Sequence, residues 1–125
     1  MNVPAELKYT NDHEWVKVDG DSAYIGITDY AQGELGDIVF IDIVPDLSEI
    51  VGGESFGTIE AVKTVSEMFA PISGTVIEIN PKLNDEPQLV NSDPYGEGWI
   101  IKVVLTEPSQ LDALLDSQSY KELLG

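Results

Sequence analysis

Seven short segments rich in Val, Ile and aromatic residues, mostly separated by turn formers, dominate the chain. They are Glu14–Val18, Ser22–Ile27, Ile38–Val44, Glu54–Val62, Val65–Phe69, Thr75–Ile79 and Trp99–Leu105. Short strands at this spacing predict a mainly β fold, a sandwich or flattened barrel. In the last segment Trp99, Ile101, Val103 and Leu105 alternate with Ile100, Lys102 and Val104, so one face of that strand is expected to be deeply buried. Asp19-Gly20-Asp21 reads as a hairpin turn, and Gly52-Gly53 and Pro71-Ile72-Ser73-Gly74 punctuate the middle of the chain.

Helix is expected only at the edges. Thr28 can cap a short turn over Asp29–Gly33 that ends on glycine. Ser109, after Pro108, can cap a C-terminal helix over about 109–124, whose Leu111, Leu114, Leu115, Tyr120, Leu123 and Leu124 lay one stripe on the sheet. The polar, proline-containing stretch Pro81–Gly98 reads as a long ordered loop. With no linker and no tandem repeat, residues 1–125 read as one domain with a β core over about 9–105.

The residues that are missing exclude much chemistry. Without cysteine there is no disulfide framework, thiolate nucleophile or Cys metal site, and without arginine no bidentate clamp for phosphate or carboxylate. The one histidine, His13, cannot make a zinc site alone and is expected to be a hydrogen-bonded structural residue. No metal site is expected, and no stretch fits a calcium loop. Gly53-Glu54-Ser55-Phe56-Gly57 has the spacing of a nucleophile elbow. The elbow needs a strand-to-helix turn with Asp and His following. Here a strand follows and His13 lies upstream, so the glycines are read as a strand bend or a close backbone approach.

A net charge of −17 repels phosphate backbones and anionic lipid, so neither nucleic acid nor membrane is an expected partner. It suits brief encounters with basic patches on larger proteins, although acidic residues also serve solubility alone. No apolar run approaches the roughly 20 residues that cross a bilayer. Met1 to Lys8 lacks the basic and apolar regions of a secretory signal. The expectation is a cytoplasmic protein, or the processed form of an organellar one. No catalytic residue is assigned.

Lys63 stands out by context. It lies between Glu60-Ala61-Val62 and Thr64-Val65-Ser66-Glu67, two β-prone runs that would pair if the chain reversed there. A lysine at such a tip is displayed to solvent, as a modification site must be. The pattern alone leaves open an ordinary solvated charge, and no Asn-Gly or Gly-Gly marks the turn.

The segment Glu60-Ala61-Val62-Lys63-Thr64-Val65-Ser66-Glu67, continuing through Ala70-Pro71-Ile72-Ser73-Gly74-Thr75-Val76, closely resembles the lipoylation segment of glycine cleavage H proteins. Tyr9-Thr10 with His13-Glu14-Trp15 is similar to the family's N-terminal signature. Further matching blocks are Gly26-Ile27-Thr28-Asp29-Tyr30-Ala31-Gln32, Leu35-Gly36-Asp37-Ile38-Val39-Phe40 and Asn91-Ser92-Asp93-Pro94-Tyr95-Gly96-Glu97-Gly98-Trp99. The blocks fall in family order over about residues 9–105. Ala61 and Thr64 stand where the family often has Ser and Ala, and Pro45-Asp46-Leu47-Ser48 replaces a more usual Pro-Glu-Val-Gly turn.

The resemblance implies a barrel-sandwich hybrid of the lipoyl and biotinyl type, with lipoate covalently bound as lipoyllysine at Lys63. It implies a carrier rather than an enzyme, a swinging arm that accepts the aminomethyl group of glycine from a pyridoxal-phosphate glycine decarboxylase. A tetrahydrofolate-dependent aminomethyltransferase would take the group onward, and dihydrolipoamide dehydrogenase would reoxidise the arm. A lipoyl or octanoyl transferase or a lipoate ligase would attach it. The compartment implied is the bacterial cytoplasm, or the mitochondrial matrix for a processed form. Glu14, Glu67 and Asp12 are expected around a cleft that holds the loaded arm. Lys8, Lys17, Lys82, Lys102 and Lys121 lack the matching display. A biotin carrier would place methionines beside the lysine, where Val62 and Thr64 stand. A 2-oxoacid dehydrogenase lipoyl domain usually has Asp and Ala there and lacks the C-terminal helix. A purely structural acidic domain would carry no modification.

Overall fold

The computed structural model describes residues 2–125. The strands run β1 (Lys8–Tyr9), β2 (Glu14–Asp19), β3 (Ser22–Ile27), β4 (Ile38–Ile43), β5 (Glu49–Ile50), β6 (Ser55–Ala61), β7 (Val65–Phe69), β8 (Gly74–Ile79) and β9 (Ile101–Leu105). They form a six-stranded sheet, ordered β1-β2-β3-β9-β8-β5, and a three-stranded sheet, ordered β4-β6-β7, with all pairs antiparallel. The sheets do not close into one barrel, and the expected mainly β, barrel-sandwich architecture is what the chain adopts.

The core lies between the sheets because each strand alternates. Val16, Ile25, Ile101 and Val103 from one sheet meet Ile38, Phe56, Ile59 and Met68 from the other. Within β9, Ile101 and Val103 are fully buried while Val104 is exposed, as the alternation requires. That strand begins at Ile101 rather than Trp99. Gly20 supplies the left-handed φ of 64° in the β2–β3 hairpin. The two-residue strands β1 and β5 carry too little periodicity to be read from the chain.

Two helix expectations need correction. Thr28 does cap α1, accepting the N–H of Ala31, but α1 runs Asp29–Leu35 and passes through Gly33. The left-handed residue that stops it is Gly36, at φ 80°. The C-terminal segment is two pieces, a 3-10 turn at Pro108–Ala113 and, after α2 (Leu89–Ser92) earlier in the chain, α3 at Ser117–Leu124. Leu115 exchanges both backbone hydrogen bonds with Tyr9, each 2.8 Å, and this β-bridge holds 114–116 extended. The cap of α3 is therefore Asp116, which accepts the Ser119 N–H at 2.8 Å, and Ser109 caps nothing. The stretch Pro81–Gly98 contains a 3-10 turn at Pro81–Asn84 as well as α2, and is less irregular than a loop.

A second cluster covers the far side of the six-stranded sheet. Tyr120 of α3 stacks on Tyr9 with ring centroids 4.6 Å apart, beside Leu7 and Trp15. This packing, rather than the expected leucine stripe alone, fastens the C-terminus. Among the described residues no helix is long and apolar enough to cross a membrane.

Candidate functional site

β6 and β7 pair from Ser55 opposite Phe69 to Glu60 opposite Val65, and the chain reverses between them. Ala61 donates its N–H to the Thr64 carbonyl at 2.8 Å, leaving Val62 and Lys63 as the two residues of the tip. Neither has a positive φ. The reversal is therefore not one of the primed turns that demand Asn-Gly or Gly-Gly, which is why the chain shows no such marker. Val62 also donates its N–H to the Asp37 carbonyl at 3.0 Å, so the segment after α1 braces the tip.

Lys63 is exposed at this braced end. It lines a shallow groove with Glu34, Leu35, Gly36, Asp37 and Val62. The one ion pair among the described residues joins Lys82 to Glu97, so the Lys63 ammonium has no fixed partner. A primary amine held out on a short, anchored reversal is free to be acylated. Glu34 and Asp37 were not singled out from the chain. The signal was the helix stop at Gly36, which turns Asp37 toward the tip.

The three acids assigned to the arm do not line that groove. Glu14 is only 3% exposed, and its carboxylate is fully engaged. Thr10 donates its hydroxyl to Oε1 at 2.9 Å, and Phe69 donates its N–H to Oε2 at 3.0 Å. Burial pushes the Glu14 carboxyl up to about 7, against the two hydrogen bonds that favour its charged form; nearby Asp12 adds to the rise. Asp12 is exposed in the loop before β2. Glu67 is exposed on β7, opposite Thr58, and lines a separate groove with Asp42 and Ser55.

His13 behaves as expected of a structural residue. It adopts a left-handed φ of 66°, packs its ring 4.7 Å from that of Tyr30, and bonds Tyr120 Oη through Nδ1 at 2.8 Å. Burial lowers its affinity for a second proton. The glycines around Ser55 are backbone devices. Gly53 has a φ of 89°, and a Cβ on Gly57 would sit 2.5 Å from the Asp42 carbonyl oxygen, beside an irregularity in the β6–β7 register. Ser55 lies on a strand with no helix after it, so no elbow forms.

The Glycine cleavage H-protein family model matches residues 7–125. The chain belongs to the glycine cleavage H-protein family. Glycine cleavage system H proteins of Staphylococcus carnosus and Bacteroides fragilis are 57% and 55% identical over 125 residues, covering 100% of this chain and 99% of each relative. The crystal structure of a glycine cleavage system H protein from Mycobacterium marinum superposes with a TM-score of 0.82 at 36% identity, covering 96% of this chain and 97% of that one. Membership in this H-protein family displaces the biotin-carrier and 2-oxoacid dehydrogenase readings. The family is named as a component of the glycine cleavage system, which implies a carrier role.

Proposed function

We propose that Lys63 carries lipoate in amide linkage and that this H protein shuttles the aminomethyl group of glycine between enzymes. The observation that carries the reading is the exposed, unpaired Lys63 at the two-residue tip, inside the segment Glu60–Glu67. Lipoate supplies a dithiolane sulfur that accepts the group and a dithiol that is afterwards reoxidised. The chain's own work is to hold the attachment nitrogen away from the domain, fix its direction through Ala61, Thr64 and Asp37, and present a recognisable surface. The partners proposed are the pyridoxal-phosphate glycine decarboxylase, the tetrahydrofolate-dependent aminomethyltransferase, dihydrolipoamide dehydrogenase, and the transferase or ligase that attaches lipoate. Its bacterial relatives support the cytoplasm as its compartment.

The acids on and beside β7 support a resting place for the arm. Glu67 lies four residues along the chain from Lys63, at most roughly 14 Å away, a span that a lipoylated lysine covers. Glu67 and Asp12 are exposed carboxylates able to face an ammonium, and buried Glu14 accepts the N–H of Phe69, two residues along β7 from Glu67. Carboxylates there favour the protonated amine and so withhold the lone pair that would expel the thiolate.

The deciding experiment is intact-mass and peptide mass spectrometry of protein from a lipoylating host, followed by a reconstituted glycine exchange assay. One lipoyl group on Lys63 is expected, with exchange dependent on it. Lys63→Arg should keep its unfolding midpoint and lose both label and exchange. Lipoate on another lysine, or exchange without the label, overturns the reading.

A further inference from the structure

We propose that the outer face of the three-stranded sheet beside Lys63 is the docking surface of the enzyme that acylates it, and that this enzyme's mouth meets Phe40 and Val65 with apolar side chains and is basic opposite Glu60 and at the rim. The proposal rests on the reading of Lys63 as lipoyl acceptor.

Phe40, Glu60 and Val65 sit directly opposite one another across β4, β6 and β7. Opposed residues project from one face, so Phe40 and Val65 form an apolar row on either side of a carboxylate. Both are exposed, at 49% and 59%, and Val62 on the tip itself is 68% exposed. Val39 is the extra residue where the β4–β6 register slips, and it adds a fourth exposed apolar side chain at the same end of the sheet. Single exposed apolar residues are ordinary, but a contiguous set around a displayed lysine, rimmed by polar groups, marks a protein contact.

The rim is acidic. The next row on the same face is Asp42, Thr58 and Glu67, and Glu34 and Asp37 line the groove on the other side of Lys63. Residues 38–69 contain one basic residue, Lys63. The complement to this face is a pair of apolar contacts for Phe40 and Val65 with a cation opposite Glu60 between them, inside a ring of lysine and arginine.

Reach decides which partner this is. Lysine has only a four-carbon stem, so an acyl donor meets Nζ only if its enzyme closes over the tip and touches Val62, Val65 and Phe40. Enzymes acting at the far end of the attached arm work a whole acyl chain further out. In the step itself the Lys63 ammonium loses a proton to a base on the partner. Its lone pair attacks the acyl carbon of a lipoyl adenylate held by that partner. The C–N bond forms, the C–O bond to phosphate breaks, and AMP leaves with the electron pair. A second proton departs from nitrogen, leaving the amide.

The test uses the unlipoylated full chain with a lipoate ligase, ATP and lipoate, following acylation by intact mass. Variants are Val65→Thr, Phe40→Thr and the pair, with urea unfolding to confirm the fold. The pair should raise KM about tenfold with kcat retained. Salt should raise the wild-type KM as the Debye length shortens. Once lipoylated by long incubation, the pair should be reduced by dihydrolipoamide dehydrogenase with NADH as the two-electron donor as fast as wild type. An unchanged KM overturns the apolar contact, and a KM indifferent to salt overturns the basic rim. Equal losses with ligase and dehydrogenase overturn the choice of partner. A wild-type chain that the ligase never acylates overturns the reading of Lys63 instead.

Discussion

The Glu14 carboxylate on β2 accepts the Phe69 backbone N–H on β7 at 3.0 Å, a hydrogen bond that ties one sheet to the other. Its position makes Glu14 a pH-dependent element of stability. Burial raises its folded pKa to about 7, above the ordinary value of 4.5. A raised folded value means the native state holds the proton more tightly than the unfolded chain. The contribution is therefore complete below about pH 4.5 and is lost as pH rises through about 7, a span worth about 3 kcal/mol. Glu14→Gln keeps an acceptor for Phe69 and removes the titration. Urea unfolding from pH 4.5 to 8 should show the variant gaining on the wild type through this window; parallel curves would refute it.

Glu67 offers the cleaner test of the arm acids, since Glu14 also joins the sheets. Lipoylated wild type and Glu67→Gln are loaded with the aminomethyl group and left without partners. Faster release of formaldehyde from the variant, at unchanged unfolding midpoint, is expected. Equal rates would leave Glu67 an ordinary surface acid.

Tyr120 links three elements through one oxygen, bonding His13 Nδ1 at 2.8 Å and Thr28 Oγ1 at 2.7 Å, the latter also the cap of α1. Tyr120→Phe preserves the ring stack on Tyr9, strands His13 Nδ1 and leaves the Thr28 hydroxyl only its bond to the Ala31 N–H. A loss of about 1–3 kcal/mol in chemical unfolding is expected. A change within error would mean water replaces the hydroxyl.

Two glycines should respond with opposite signs to alanine. At Gly57 the new Cβ meets the Asp42 carbonyl at 2.5 Å and the Ile43 Cα at 3.2 Å, backbone that cannot move aside. Gly57→Ala should cost about 1–3 kcal/mol. Gly33 is exposed within α1 with nothing within 4 Å of such a Cβ, so Gly33→Ala should stabilise by about 0.5–1 kcal/mol. Thermal midpoints moving in the same direction would contradict the packing argument.

The strands that carry the site were legible because each has a buried face and the period of two survives in the residue order, as in Ile101 and Val103 against Val104. Lys63 was legible as the break between two such runs, and the proposal that it is a modification site came from the resemblance of Glu60–Glu67 to a family segment rather than from any local rule. The Thr28 cap was equally local, whereas the glycines around Ser55 were read only as a strand bend or a close backbone approach, and the approach at Gly57 is to Asp42 on β4. Where the reading missed, the cause lay elsewhere in the chain. Leucine spacing over 109–124 favours one helix, but the bridge from Leu115 to Tyr9 satisfies backbone groups that a continuous helix would have kept for itself. No pattern around Glu14 announces that its carboxylate will be sealed against Phe69, or that Asp37 will brace the tip. Periodicity and turn chemistry belong to neighbours along the chain, so the sequence by itself determined the longer strands and the two β-prone runs that flank Lys63. Burial, the rise in the Glu14 pKa and the setting of Phe40 and Val65 on either side of Glu60 depend on which distant segments meet, and only the tertiary structure decided those.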